Sequence, residues 1–298
     1  MMNSKIIHIQ RVKNIALLAV ILCLAPFALV AQQTVSDLME RGVAAGLDQS
    51  QLERVMDRAN ERGIEEGDLQ RLMEPAISLA ERDLPSDYVI QKLMEGFSKG
   101  VPPGRMMPLM ENIQENTPRA VSIANNWTDK PEVASFMERA GERGPQFKQE
   151  LISANLKSLT QQVEPAELEG VLESIGQESV LEKTSPRAII AAVGILPDLP
   201  ASARQGNAAR GLLARAAEAG FSASDFQKLP GAMNAAERRS ELPAASVVEG
   251  VAAQLGSGIP ASEVLQNLFN GNVNAGPPGN RPGRPNNGPG RGQGSGNN

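Results

Sequence analysis

Three consecutive stretches, 34–50, 51–67 and 68–84, repeat one pattern with a period of 17 residues: TVSDLMERGVAAGLDQS, QLERVMDRANERGIEEG and DLQRLMEPAISLAERDL. Met39, Met56 and Met73 fall in register, as do Val35, Leu52 and Leu69, and Leu38, Val55 and Leu72. Within the copies the apolar residues are Val35, Leu38, Met39 and Val43, then Leu52, Val55, Met56 and Ala59, then Leu69, Leu72, Met73, Ala76 and Ile77. Steps of three and four residues keep side chains on one face of an α-helix. A strand alternates with period two, and these segments do not. Segments this short are marginal as isolated helices, so each stripe has to be buried on a neighbouring helix.

The connections repeat as well. Gly or Asp is followed by an apolar residue, two variable residues, and Ser, Gly or Asp. The pattern occurs at Gly46-Leu47…Ser50, Gly63-Ile64…Gly67, Asp83-Leu84…Asp87 and Gly100-Val101…Gly104. It returns at Asp198-Leu199…Ser202, Gly220-Phe221…Ser224 and Gly258-Ile259…Ser262. Glycine suits the left-handed residue that ends a helix, and the apolar residue after it folds back on the last turn. The later Ser or Asp is expected to cap the next helix. Pro85, Pro102, Pro200 and Pro260 fall in these linkers, where a missing N–H does no harm. Glu241-Leu242…Ala245 departs from the pattern, with Ser246 as the expected cap.

A longer duplication overlies the repeat. Residues 58–72, RANERGIEEGDLQRL, align with 215–229, RAAEAGFSASDFQKL, and 84–110 align without a gap to 242–268. Turn residues match as well as apolar ones, which argues for two copies of one helical module. The middle, 116–197, is less regular. Thr117-Pro118 and the run from Asn125 to Pro131 read as loops. Helices are expected near 132–142, 146–162, 166–182 and 186–194, the last with Ser185 as cap and Pro186 in the first turn. From Gly271 the chain is Gly, Pro, Asn and Arg with little to bury, the composition of a disordered tail.

Residues 1–31 carry Lys5, Arg11 and Lys13, an apolar run from Ile15 to Ala25, and small residues up to Ala31. That is the layout of a secretory signal, with cleavage expected after Ala31. The rival is an uncleaved anchor. The apolar stretch is near the lower limit for spanning a bilayer, and Pro26 interrupts it. Cys23 and His8 lie inside this segment, so residues 32–298 contain neither Cys nor His. That stretch holds no disulfide, no Cys or His zinc site, no Ser-His-Asp triad and no Cys nucleophile. Without Lys5, Arg11 and Lys13 the 29 bases become 26 against 34 acids, a net −8. Arg281, Arg284 and Arg291 put +3 in the tail and leave −11 in the body. An acidic body argues against a nucleic-acid partner.

No residue stands out as catalytic, cofactor-binding or metal-ligating. Met94, Met106, Met107 and Met110 bring thioether copper chemistry to mind, but Met also fills irregular gaps between small helices. Glu65-Glu66-Gly67-Asp68 lacks the spaced ligands of a calcium loop, and acids in a first helical turn follow from the helix dipole. Carboxylate pairs, the equipment of a glycosidase, occur on any acidic helix surface, and stacking aromatics are scarce. Asn126-Trp127-Thr128 matches a glycosylation sequon, and Trp127 reads better as an anchor for the middle region.

The expectation is an all-α fold, an array of short helices in αα-hairpin repeats of about 17–22 residues per helix–turn unit, solenoid-like stacking being one way to pack it. The segments are a signal peptide (1–31), an N-terminal helical repeat module (32–115), an irregular middle (116–197), a C-terminal module resembling 46–110 (198–270) and the tail (271–298). Such a chain reads as a non-enzymatic, exported interaction or scaffold protein of the cell envelope or exterior, with a protein partner or self-association and no cofactor. The alternative is a carboxylate- or Met-dependent enzyme or metal-handling protein of the periplasm.

Overall fold

The computed structural model describes residues 36–141, 144–204 and 207–273; residues 1–31, where a signal was expected, and the tail from residue 274 lie outside the described residues. Among the described residues there is no strand, and the regular elements are helices. Two compact units meet in sequence at Val121 and Ser122. The first holds α1 (36–44), α2 (Gln49–Glu61), α3 (Glu66–Ala80), α4 (Asp87–Ser98) and most of α5 (Pro103–Thr128). The second takes the end of α5, then α6 (Pro131–Arg139), α7 (Gly144–Thr160), α8 (Pro165–Ile175), α9 (Glu178–Leu181) and α10 (Pro186–Gly194). Two 3-10 turns follow, Leu196–Asp198 and Ala201–Ala203. The unit closes with α11 (Ala208–Glu218), α12 (Ala223–Ser240), α13 (Ala244–Gly256) and α14 (Ala261–Phe269).

The apolar stripes are buried on alternate helices as well as adjacent ones. In the first unit α4 packs on both α2 and α3. In the second, α11 packs on α8 and α13, α10 on α7 and α12, and α12 on α14. Leu52, Val55 and Ala59 of α2 are fully covered, as are Leu72, Met73, Ala76 and Ile77 of α3. Polar groups close the helix ends that meet these faces. Ser158 and Lys157 of α7 donate to the carbonyls of Val193 and Gly194 at the end of α10, at 3.0 and 2.7 Å. Those carbonyls have no partner within their own helix.

The glycine turns form as the pattern predicts. Gly46, Gly63, Gly100, Gly220 and Gly258 all have positive φ, between 64° and 97°. At α2 the Ile64 N–H reaches the Ala59 carbonyl at 3.0 Å and the Gly63 N–H reaches Asn60 at 2.9 Å. That pair is a Schellman motif. It recurs at Leu47/Gly46, Val101/Gly100, Phe221/Gly220 and Ile259/Gly258. Asp83 (φ 55°) and Glu241 (φ 59°), each just before the aligned stretches 84–110 and 242–268, take the same conformation. Glu241 therefore follows the pattern it was expected to break. Gln162 (φ 64°) ends α7 in the same way without a sequence signal.

No side chain lies within 4 Å of the Cβ position at Gly63, so a substitution there meets only the backbone cost. Gly63→Val is expected to lose about 1–2 kcal/mol, the penalty of a left-handed conformation for an L-residue. Gly67→Ala in the first turn of α3, where φ is ordinary and space is open, should be neutral or slightly stabilising. Urea midpoints of the two variants check this; equal midpoints would remove the strain argument.

Several expectations are corrected. At the glycine turns the N-cap comes two residues after the left-handed residue, not four: Asp48 accepts from the Gln51 N–H at 2.8 Å, whereas the Ser50 hydroxyl donates to Asp48 and accepts from Arg54. Ser222 forms a capping box with Asp225, and Ser224 is already helical. Pro260 precedes α14, so Ser262 lies inside the helix, and Ser246 lies inside α13. A Schellman turn reverses the chain in two residues, which leaves no room for a longer linker. Asp198 ends a 3-10 turn and not an α-helix.

The loops expected at Thr117-Pro118 and Asn125–Pro131 are largely absent, because α5 runs through to Thr128. Met110, Ile113, Thr117, Ala120, Ala124 and Trp127 form one continuous buried stripe along it. Burial of that stripe outweighs the proline defect, and the Thr117 hydroxyl stays satisfied by donating to the Ile113 carbonyl at 2.7 Å. Conversely, the single helix expected over 166–182 breaks at Gly176. The tail was expected to begin at Gly271, yet Val273 is buried and Gln254 donates to the carbonyls of Asn272 and Val273.

Candidate functional site

The three in-register methionines do not share one fate. Met73 is covered by its neighbours, whereas Met39 and Met56 are half-buried. The cause is local. Gly42 lets α1 sit close on α2: a Cβ there would lie 2.8 Å from the Leu52 side chain. Leu38 and Gly42 then face the core, and Met39 and Val43 are left on the flank. On α2, Leu52, Val55 and Ala59 take the core positions and Met56 takes the flank.

Between these flanks runs a groove of about 770 Å³. Its floor is Met39, Val43, Met56, Ile64 and Leu69. Val43 is 44% exposed, which is unusual for an aliphatic side chain on an apolar stripe. The rim carries Glu40, Asp57 and Glu66, with Ser36, Gln49 and Asn60. Among the described residues no Lys or Arg lines it. Arg41, one residue from Glu40, turns away to pair with Glu74 at 3.0 Å.

Two smaller clefts sit at the turns that the two aligned modules share. In the first unit, Arg62, Glu65, Asp68, Phe97 and the Gly100–Pro103 turn enclose about 480 Å³. In the second, Lys183, Arg215, Glu218, Leu255 and the Gly258–Pro260 turn enclose about 370 Å³. Each has an arginine that donates to a helix carbonyl: Arg62 donates to the Ser98 carbonyl at 2.8 Å, and Arg215 to Ala252 at 3.3 Å. The Ser98 carbonyl, the last of α4, has no helical donor of its own, whereas Ala252 lies inside α13 and gains a second donor.

The residues weighed on sequence fall as follows. Met106 and Met110 are core side chains, and the Met106 thioether lies over Gly96, where a Cβ would be 2.5 Å from its methyl. Met94 and Met107 are half-buried. Glu65 and Glu66 begin α3, and Asp68 pairs with Arg71. Among the described residues no group of three or more His, Cys, Asp or Glu side chains converges to hold a metal ion.

Sequence reasoning passed over Glu167 of α8. Burial holds its carboxyl above the usual range; the nearby Arg204 charge opposes this and Glu164 adds to it. One carboxyl oxygen and the Arg204 Nε are buried without a hydrogen-bond partner. A raised carboxyl pKa means that the folded state holds the proton more tightly than the unfolded chain. Stability therefore falls as pH rises through the window above the ordinary glutamate pKa of 4.5. Glu167→Gln removes that dependence. The variant should gain stability over the parent at about pH 7 relative to about pH 4, measured by urea unfolding. A difference that is the same at both pH values would contradict the burial argument.

No helix among the described residues is long and apolar enough to cross a membrane. No family model matches the chain, and neither a curated protein nor a solved structure matches it.

Proposed function

We propose that this is a non-enzymatic helical interaction protein, exported from the cytoplasm and acting in the cell envelope or outside the cell. The observation that carries the reading is the groove on α1–α3, an apolar trough with an acidic rim. Apolar surface left open beside polar groups is the usual mark of a binding site. The export half rests on the basic and apolar layout of residues 1–31. The non-enzymatic half rests on residue supply: residues 32–298 have no imidazole for proton transfer near neutral pH and no thiol nucleophile. The acidic balance of the body favours a protein over a nucleic acid as the partner.

Affinity capture with in situ crosslinking, from the native envelope and the medium, tests this. A reproducible, saturable protein partner is the expected result. Turnover of an envelope substrate that disappears when Glu167 or another carboxylate is replaced would overturn the reading in favour of an enzyme.

A further inference from the structure

We infer that the groove on α1–α3 receives an amphipathic helical segment of a partner protein, with an apolar row flanked by Lys or Arg. The inference rests on the interaction reading above and adds the place and chemistry of the contact. Shape comes first. Ser36, Met39, Glu40 and Val43 line the groove along two turns of α1. Gln49, Met56, Asp57 and Asn60 line it along three turns of α2, about 16 Å at 1.5 Å per residue. A trough that follows two helix flanks accommodates an elongated ligand. A third helix with apolar residues at i, i+3, i+4 and i+7 matches it.

Chemistry comes next. Met39 and Met56 have unbranched side chains that repack around differently shaped partners. The rim carboxylates Glu40 and Asp57, with no base among the described lining residues, favour a cationic border. The same charges disfavour a second copy of this chain in the isologous arrangement, because acid would face acid. Residues 274–298 supply Arg281, Arg284 and Arg291 but no Leu, Ile, Val, Met or Phe to meet the floor.

The test uses protein expressed from the full-length sequence and a labelled synthetic peptide of about five helical turns. The peptide has a Leu stripe at helical spacing and Lys elsewhere. One control replaces its Lys with Glu, and another replaces its Leu with Ser. Fluorescence anisotropy should show the Leu/Lys peptide binding at least about tenfold more tightly than either control, a difference of about 1.4 kcal/mol. Val43→Asp, and separately the pair Glu40→Lys with Asp57→Lys, should each weaken it about tenfold or more. Glu111→Lys with Glu115→Lys, two exposed positions of α5 that do not line the groove, makes the same total charge change and should change binding less than about twofold. Val43 is exposed enough for its variant to fold, and circular dichroism verifies this.

Equal binding of the Leu/Glu peptide, or binding indifferent to Val43→Asp, would overturn the inference. So would a dimer that Val43→Asp dissociates without any peptide binding, or a photocrosslink from position 43 to the same chain. A partner captured on another face would sink the groove while leaving the interaction reading intact. Absence of any captured partner would count against that reading even if the synthetic peptide binds.

Discussion

Replacing Trp127 with alanine is expected to cost about 3–5 kcal/mol, the range for emptying a large buried aromatic site. Trp127 is only 3% exposed. Its indole N–H donates to the Leu172 carbonyl at 2.6 Å, and its ring packs against Phe147 at 6.3 Å between centroids. Gly176 completes the arrangement: a Cβ there would sit 2.9 Å from the indole nitrogen. The φ at Gly176 is −67°, so the glycine supplies space and not a special backbone conformation. One indole thus binds the end of α5 to the end of α8 and explains why the helix stops there. The loss should fall on the unfolding transition of the unit that begins at Ser122. Trp127→Phe keeps most of the apolar surface and removes one of two donors to the Leu172 carbonyl, which retains the Gly176 N–H at 2.8 Å, so it should cost about 0.5–1.5 kcal/mol. Circular dichroism in urea measures both, and a loss below about 1 kcal/mol for the alanine variant would end the anchor argument.

The second large effect concerns residues 271–273, beyond α14. A chain ending at Asn270 should be about 3–5 kcal/mol less stable than one ending at Gly276. Burial of Val273 contributes about 2 kcal/mol, and the Gln254 amide left without acceptors adds about 1–3. Val273 is 2% exposed and covers Gly250 closely enough that a Cβ would lie 2.7 Å from the Val273 carbonyl oxygen. Gln254 is also 2% exposed, and donates to Asn272 and Val273 at 3.1 and 2.7 Å. Its amide oxygen accepts from Asn267 at 3.1 Å, so the network ties α13 to α14 and to the residues after it. Equal unfolding midpoints for the two truncations would show that the packing of Val273 is incidental. On composition, Gly271 looks like the first residue of the tail. Only the position of Gly250 on the adjacent helix makes Val273 part of the core.

The sequence by itself determined the helices, their stripes and their left-handed ends. Leu52, Val55 and Ala59 are one face whatever surrounds them, because 3.6 residues per turn places them there. Gly63, Gly100, Gly220 and Gly258 terminate helices because the residues that close a Schellman turn are neighbours in the chain. Such features depend on atoms a few residues apart, which a linear reading contains.

Tertiary structure alone decided where local signals lost. Thr117-Pro118 and Asn125-Asn126 carry loop chemistry, but the stripe from Met110 to Trp127 has a surface to pack on, and its burial outweighs one missing backbone bond. Gly176 ends a helix because of an indole that lies 49 positions earlier in the chain. The groove was hidden for the same reason. Met39, Met56 and Met73 are equivalent by spacing, and only the close seating of α1 on α2 through Gly42 leaves the first two at the surface. Periodicity tells which side chains share a face. Which of them a neighbour covers depends on long-range packing geometry, and that is where the candidate site arose.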